Sequence, residues 1–317
     1  MPAPNPTLTE SAPGSTAPRP ERFRGLPPAF LLTLAVLSLG FALPLYRWAQ
    51  FALESELFSY TLLVPVVSIY LFLTGRRGEE PASGARHPVL GGILGVAGLG
   101  VLGGYGVAVL NGTTLVRQDS VALTMVAYAL LVAAVAALLL PRSLLRTATF
   151  PLLFLVFMAP FPVAVEHALE MFLQHGSAPP AYWFLKLAGT PVYRQDLIFQ
   201  LPGITLQVAP ECSGIRSTIV LFLTSLVASH LFLRSPWKKA FLIGFVLPLA
   251  LVRNGFRIFI IGELCVRIGP HMIDSFIHKR GGPIFFALSL IPFSILVYYL
   301  VKSDRRKSTP TPATPAS

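Results

Sequence analysis

The sequence is short of two things, charged residues and cysteine. Charged residues make up 12% of the 317 residues, about half their share in an ordinary soluble domain, and the mean hydropathy is +0.67. A chain of this composition cannot cover itself with polar surface, which excludes a soluble globular domain and predicts an integral membrane protein. Its two cysteines are too few for a disulfide framework or a thiolate metal site.

Acidic residues are scarcer than basic ones, 14 against 25, which leaves a formal charge of +11. In a soluble protein this excess would suggest nucleic acid, but here the basic residues cluster between apolar runs. That pattern is typical of membrane topology. We therefore expect the protein to interact with the lipid bilayer and not with nucleic acid.

Eight apolar runs approach the length of about 20 residues that a helix needs to cross a bilayer. They lie at about 28–46, 58–75, 88–110, 121–141, 147–164, 213–233, 239–264 and 284–301. The predicted fold class is therefore all-α, a polytopic membrane bundle of about eight transmembrane helices in one domain, residues 27–302. Residues 1–26 and 303–317, rich in proline, serine and threonine, are predicted to be disordered cytoplasmic tails.

The positions of lysine and arginine predict the orientation of the bundle. With the N-terminus inside, fifteen of them fall in inside segments and seven in outside segments. Both termini are therefore predicted to be cytoplasmic, with the protein in the cytoplasmic (inner) membrane. The stretch 165–212 then lies on the extracytoplasmic face, and we expect it to hold one or two interfacial helices followed by a hairpin around Pro202 and Gly203.

Polar side chains interrupt the outward half of the seventh predicted span, where Arg253, Asn254 and Arg257 occur. An arginine inside a span costs about 2.5–3.5 kcal/mol on insertion scales, so it usually has a task. Arg253 and Arg257 are four residues apart and share a helix face. They either face a water-lined cleft that opens outward, or extend to the membrane interface, or pair with a carboxylate such as Glu263.

Cys212 stands where the sixth predicted span begins, in the stretch "APECSGIRS" (209–217). Unpaired backbone N–H groups and the helix dipole favour a thiolate at such a position, and Arg216 one turn later adds to the effect. A thiolate nucleophile needs a proton-transfer partner, for which His271 and His278 in the next outer loop are the candidates. The alternative is that Ser213 or Glu211 caps the helix and Cys212 only packs there.

The residues alone leave two further alternatives. One is a transporter or channel subunit in which Arg253 and Arg257 bind an anion within the membrane. The other is a structural protein in which Cys212 and Cys265, near the outer ends of adjacent spans, form a disulfide.

Three separated motifs together resemble the exosortase/archaeosortase family of membrane transpeptidases. They are "VAPECSGIRS" (208–217), "RNGFRI" (253–258) and "HKRGGPIFF" (278–286). The stretches "FSYTLLVPVVSIYLF" (58–72), "FPLLFLVFMAPFPV" (150–163) and "LAGTPVYRQDLIFQLPG" (187–203) are also similar to that family. The resemblance covers about 45–302.

The resemblance implies cleavage of exported proteins that carry a C-terminal sorting signal, and transfer of the product to an acceptor of unknown identity. The signal has a short motif (Pro-Glu-Pro in the bacterial case), a transmembrane helix and a basic tail. No cofactor and no metal are implied.

By motif, the resemblance implies Cys212 as the nucleophile, with Arg257 and His278 as its partners on the extracytoplasmic face. Residues in the same motifs are expected to support the reaction or bind substrate: Arg216, Asn254, Arg253, Ser213 and Gly214. The run "GGPIFF" carries Pro283 where many members have an aromatic residue, which leaves His271 as an alternative to His278.

Overall fold

Ten α-helices and one three-stranded sheet make up the part of the chain that the computed structural model describes, residues 26–75, 84–274 and 281–306. His278 and most of both predicted tails lie outside the described residues. The helices of the first half are α1 Pro28–Gly40, α2 Ala42–Glu54, α3 Leu63–Gly75, α4 Pro88–Leu110, α5 Arg117–Leu139 and α6 Arg142–Leu155. The second half has α7 Val163–Leu187, β1 Tyr193–Gln195, β2 Ile198–Leu201, β3 Ile204–Gln207, α8 Ile215–Phe232, α9 Pro236–Arg267 and α10 Gly282–Arg306.

Five described helices are long and apolar enough to cross a membrane: α4, α5, α8, α9 and α10. Two bent pairs, α1 with α2 and α6 with α7, raise the number to seven if each pair is one span. The chain is therefore a multi-pass, all-α membrane bundle, as predicted. The predicted number of eight is not confirmed, because Ser59–Gly75 is a shorter apolar helix, and the orientation of the termini stays a prediction.

The first predicted span, 28–46, differs from a single helix. α1 ends at Gly40, and α2 continues from Ala42 at an angle of 67°. Pro44 explains part of the break, since it has no N–H to donate to the carbonyl of Gly40. The Trp48 indole then anchors α2 by donating to the carbonyl of Met158 over 2.9 Å.

The fifth predicted span, 147–164, is also broken. A short 3₁₀ turn, Val156–Met158, follows α6, and α7 leaves at 91°. Pro160 and Pro162 cannot continue a helix and disfavour helical backbone before them. The backbone N–H of Val163 finds its partner in Asp119 of α5, over 2.9 Å. One long helix, α7, thus takes up the first half of the stretch expected to hold interfacial helices.

The predicted hairpin is confirmed. Strands β2 and β3 pair antiparallel, with Leu201 opposite Ile204 across the turn, and β1 adds a third strand beside β2. One face of the sheet buries Phe199, Leu201 and Leu206 against α7 and α9. The sheet therefore fixes the path of the chain immediately before Cys212.

Candidate active site

Cys212 lies in a tight turn and is not itself part of α8. The 3₁₀ turn Pro210–Cys212 is followed by Ser213 and by Gly214, whose φ of +72° is left-handed, and α8 starts at Ile215. The Cys212 N–H donates to the carbonyl of Ala209 over 2.8 Å. Ser213 and Gly214 therefore connect this turn to α8, and the Cys212 side chain is half-buried beside them.

Asn254 holds this turn from α9. Its Nδ2 donates to the carbonyl of Cys212 over 2.8 Å and to Oγ of Ser177 over 3.1 Å. The Ser177 hydroxyl in turn donates to the carbonyl of Leu173 over 2.6 Å. Asn254 and Ser177 are both buried. A buried amide with both donors used has a fixed orientation, so α7 and α9 together set the position of the Cys212 backbone.

Arg253 contacts the end of the same turn and the first turn of α8. Its Nη2 donates to Oγ1 of Thr218 over 3.2 Å and approaches the carbonyl of Gly214 at 3.4 Å. The side chain is 6% exposed. Arg253 therefore stabilises the start of α8.

Close packing of α7 on α9 makes this network possible. A Cβ at Gly255 would lie 2.6 Å from Cβ of Pro180 and 2.9 Å from the backbone nitrogen of Ala181. Any larger residue would push the two helices apart. The glycine after Asn254 thus lets Ser177 of α7 reach the Asn254 amide.

A cleft of about 530 Å³ opens beside the turn. Two of the predicted site arginines, Arg216 and Arg257, line it, as do Pro210 and Gly214 of the cysteine turn, whereas the Cys212 side chain packs against the apolar cluster under the sheet. Arg216 is 57% exposed and lies 3.7 Å from Glu56. Three acidic residues complete the charged part of the lining: Glu56, Glu166 and Glu170. The cleft therefore presents both signs of charge next to the cysteine turn.

The structure describes only one of the two candidate histidines, His271. His278 lies outside the described residues, so its place in the site stays a prediction. His271 is exposed in the 3₁₀ turn Pro270–Asp274 and does not line the cleft. Gly282 and Pro283, which follow His278 closely in sequence, do line the cleft at the start of α10.

Cys265 and Glu263, the alternative partners of Cys212 and of the intramembrane arginines, make other contacts in the structure. Cys265 is 2% exposed within the apolar cluster under the sheet, and neither cysteine takes part in a disulfide, so the disulfide alternative is not what the structure contains. Glu263, a predicted partner of the intramembrane arginines, binds Arg267 over 2.6 Å and the hydroxyl of Thr190.

Sequence reasoning missed the contribution of α7. Gln174 donates to the carbonyl of Val208 over 3.1 Å and so holds the chain leading to Cys212. Ser177 supports Asn254, and Glu166 and Glu170 line the cleft. The sequence could have indicated that these four residues share one face of a helix, because they are spaced 4, 4 and 3 positions apart.

Gly214→Ala is expected to destabilise the protein more than a matched glycine substitution does. A Cβ at Gly214 would lie 3.0 Å from Oδ1 of Asn254 and 3.3 Å from Nη2 of Arg253. Gly112 has nearly the same φ, +75°, but nothing within 4 Å of such an atom. Left-handed backbone costs an alanine roughly 1–2 kcal/mol at either position. A lower melting temperature in detergent for Gly214→Ala than for Gly112→Ala therefore measures the contact of the added Cβ with Asn254 and Arg253. Equal melting temperatures would contradict the proposed fit of the turn.

The family comparison covers the elements that build this site. The model of the transmembrane exosortase family matches residues 48–295, from α2 to the middle of α10. No significant match was found among curated proteins or among solved structures. The family match spans most of the chain and includes the Cys212 turn, the Asn254 network and both cleft arginines. The chain therefore belongs to the transmembrane exosortase family.

Proposed function

We propose that this protein is a membrane-embedded cysteine peptidase and transpeptidase. It cleaves the C-terminal sorting signal of exported proteins and transfers the product to an acceptor. One observation carries the proposal: the turn of Cys212 borders a cleft that Arg216 and Arg257 line. Membership of the exosortase family supports the peptidase class, and the residue roles are our assignment.

In the first step the Cys212 thiolate attacks the carbonyl carbon of the scissile peptide bond. A carbon–sulfur bond forms, and the carbonyl electron pair moves to oxygen. The Arg257 guanidinium donates hydrogen bonds to this oxyanion, a charge that exists only during the reaction. Because Asn254 holds the Cys212 carbonyl at 2.8 Å, the nucleophile is presented from a fixed backbone.

In the second step the oxyanion collapses and the carbon–nitrogen bond breaks. His278, assigned by its sequence motif, gives a proton to the leaving amine, and the passenger protein remains as a thioester on Cys212. An amine or hydroxyl of the acceptor, or water, then attacks the thioester and gives its proton to His278. The thiolate leaves and the enzyme is restored. No step calls for a cofactor or a metal ion.

The proposed substrate has a short recognition motif, a transmembrane helix and a basic tail. Arg216 is suited to binding an acidic residue of that motif, because it is exposed at the cleft and its partner Glu56 is 94% exposed. A substrate carboxylate could replace Glu56 at little cost, since exposed ion pairs contribute about 0–1 kcal/mol. The distribution of lysine and arginine supports an active site on the extracytoplasmic face of the cytoplasmic membrane.

Anion transport is the less favoured proposal. It requires Arg253 and Arg257 to face one aqueous path. Arg257 lines the cleft, whereas Arg253 does not, is 6% exposed and donates to Thr218 of α8. The two guanidinium groups therefore have different surroundings, which does not support a single anion path lined by both.

A reporter protein tests the proposal directly. It joins an exported passenger to a Pro-Glu-Pro motif, an apolar helix and an arginine-rich tail, and is produced together with the enzyme. We expect a shortened passenger, and in the presence of hydroxylamine a passenger ending in a hydroxamate, because hydroxylamine cleaves thioesters. The control reporter carries three alanines in place of the motif. Mass spectrometry that finds equal processing of both reporters, or none of either, would contradict the proposal.

A further inference from the structure

A second cavity, of about 300 Å³, lies at the end of α8 that is away from the cysteine turn. The last turn of α8, the link to α9 and the end of α10 line it, with residues that include His230, Leu231, Phe232, Arg234, Val301 and Asp304. The lining therefore combines apolar side chains with three ionisable ones.

The acidic residue of this lining, Asp304, is already paired within the protein. Its Oδ1 accepts from Nζ of Lys238 over 3.0 Å, and its Oδ2 accepts from the backbone N–H of Arg234 over 2.7 Å. The Asp304 side chain is 11% exposed. A carboxylate with an ion pair and a backbone donor is neutralised by its own surroundings, so Asp304 does not decide the charge of a ligand.

The basic residues around the cavity outnumber this one carboxylate. The side chains of Arg234 and Lys239 have no acidic partner among the described residues, and Lys239 is near enough to act electrostatically on the His230 ring. The C-terminal end of α8 and the N-terminal end of α9 meet here, so their opposite dipole charges offset each other. The cavity therefore carries a net positive charge and attracts an anion.

His230 presents a hydrogen-bond donor to this cavity. Its ring stacks on Phe150 of α6, with the ring centroids 3.9 Å apart and the planes at 4°. Stacking uses the face of the ring, and neither ring nitrogen has a hydrogen-bond partner in the described part of the chain. Imidazole carries at least one N–H in every protonation state found in proteins. His230 is therefore held in place with an N–H available to a ligand oxygen.

The cavity also lies at the end of a membrane span. Phe232, which is 57% exposed, is the last residue of α8, a helix long and apolar enough to cross the bilayer, and Arg234 follows two residues later. Exposed apolar residues of a span contact acyl chains, and basic side chains at its end reach the headgroups. This end is also the one predicted to face the cytoplasm, where basic segments meet anionic lipid.

We propose that this cavity is a binding site for an anionic phospholipid, with Arg234 and His230 donating to the phosphate oxygens and the acyl chains lying along Leu231 and Phe232. The site is independent of the peptidase activity. A free phosphate ion offers the same oxygens but leaves both apolar side chains uncovered. A zwitterionic phospholipid brings an ammonium group to a cavity that is already positive.

Native mass spectrometry of the full-length protein in detergent tests the site with three probes: dioleoylphosphatidylglycerol, dioleoylphosphatidylcholine and inorganic phosphate. For the wild type, we expect half-maximal binding of phosphatidylglycerol at a concentration roughly ten times lower than that of phosphatidylcholine, the difference expected for one charge-assisted contact. Inorganic phosphate at the concentration of the lipid should not displace it. This comparison requires no variant.

Arg234→Gln should raise the half-maximal concentration of phosphatidylglycerol roughly ten-fold, because one charge-assisted hydrogen bond to phosphate is lost. Glutamine keeps the backbone N–H that Asp304 accepts. Lys302→Gln is the matched control, because Lys302 is exposed at the same end of the bundle, lies over the Tyr298 ring and does not line the cavity. It should change the concentration less than about two-fold, as most surface changes do.

Three results overturn the assignment, and each identifies a different interaction. Equal affinity for the two lipids means ordinary contact with the bilayer, displacement by inorganic phosphate means a site for the free ion, and equal losses in the two variants mean unspecific attraction to surface charge. The melting temperature gives a second readout, because a ligand stabilises the state that binds it. Phosphatidylglycerol should raise it by several degrees for the wild type and for Lys302→Gln but not for Arg234→Gln, and an equal rise in all three proteins overturns the site.

Discussion

Replacing Cys212 with alanine is expected to abolish reporter processing, with a loss on the order of 10³-fold or more. Without the thiolate no acyl intermediate can form, and nothing else in the proposed cycle supplies a nucleophile. Immunoblots should show the full-length reporter retained in the membrane, and hydroxylamine should release no hydroxamate. The Asn254 bond to position 212 involves only the backbone, so the turn should persist in the variant.

Cys265→Ala is the matched control, because it removes the second thiol of the chain. Cys265 is 2% exposed in the apolar cluster beneath the sheet, so its replacement should lower the melting temperature slightly and leave processing near the wild-type rate. Comparable losses in the two variants would favour the disulfide alternative. Wild-type processing by a well-produced Cys212→Ala protein would exclude cysteine catalysis.

Arg257→Lys is expected to lower the rate of processing by on the order of 10²-fold, with little change in the half-saturating concentration of reporter. Lysine keeps the positive charge but loses the planar fork of donors, and an oxyanion donor acts on the transition state more than on bound substrate. The measurement is the initial rate over a series of reporter concentrations in detergent.

Arg267→Lys serves as its control on the same helix. Arg267 is 70% exposed and pairs with Glu263 at 2.6 Å, away from the cleft, so the rate should stay within about two-fold, as for most surface changes. A full rate for Arg257→Lys would move the oxyanion role to backbone N–H groups in the first turn of α8. A change confined to the half-saturating concentration would make Arg257 a substrate-binding residue instead.

Hydropathy predicted the helices and their approximate bounds, because backbone in a bilayer must satisfy its hydrogen bonds internally. It did not predict the breaks at Gly40 and after Met158. Hydropathy describes how apolar a segment is and takes no account of the backbone N–H groups that Pro44, Pro160 and Pro162 lack. The hairpin at Pro202 was predictable because turn residues separate two short alternating strands.

The candidate site was predictable only where one motif carries the chemistry. Cys212, Arg216 and Arg257 could be selected from their own segments. The partners of Asn254 could not, because the Ser177 contact depends on how α7 crosses α9. Proline usually ends a helix, yet α7 continues through Pro179 and Pro180 to Leu187. In a bundle, neighbouring helices can satisfy the carbonyl groups that proline leaves unpaired.

The Asn254 bridge has a consequence for the design of chimeras. One amide joins the carbonyl of Cys212 to Ser177 of α7, while Gly255 fits against Pro180 only if that helix keeps its small residues. The smallest exchangeable part of the enzyme is therefore discontinuous: residues 173–181, 208–218 and 250–258 should be transferred together. A transplant of residues 208–218 alone would leave the Cys212 carbonyl without the hydrogen bond that Asn254 donates to it.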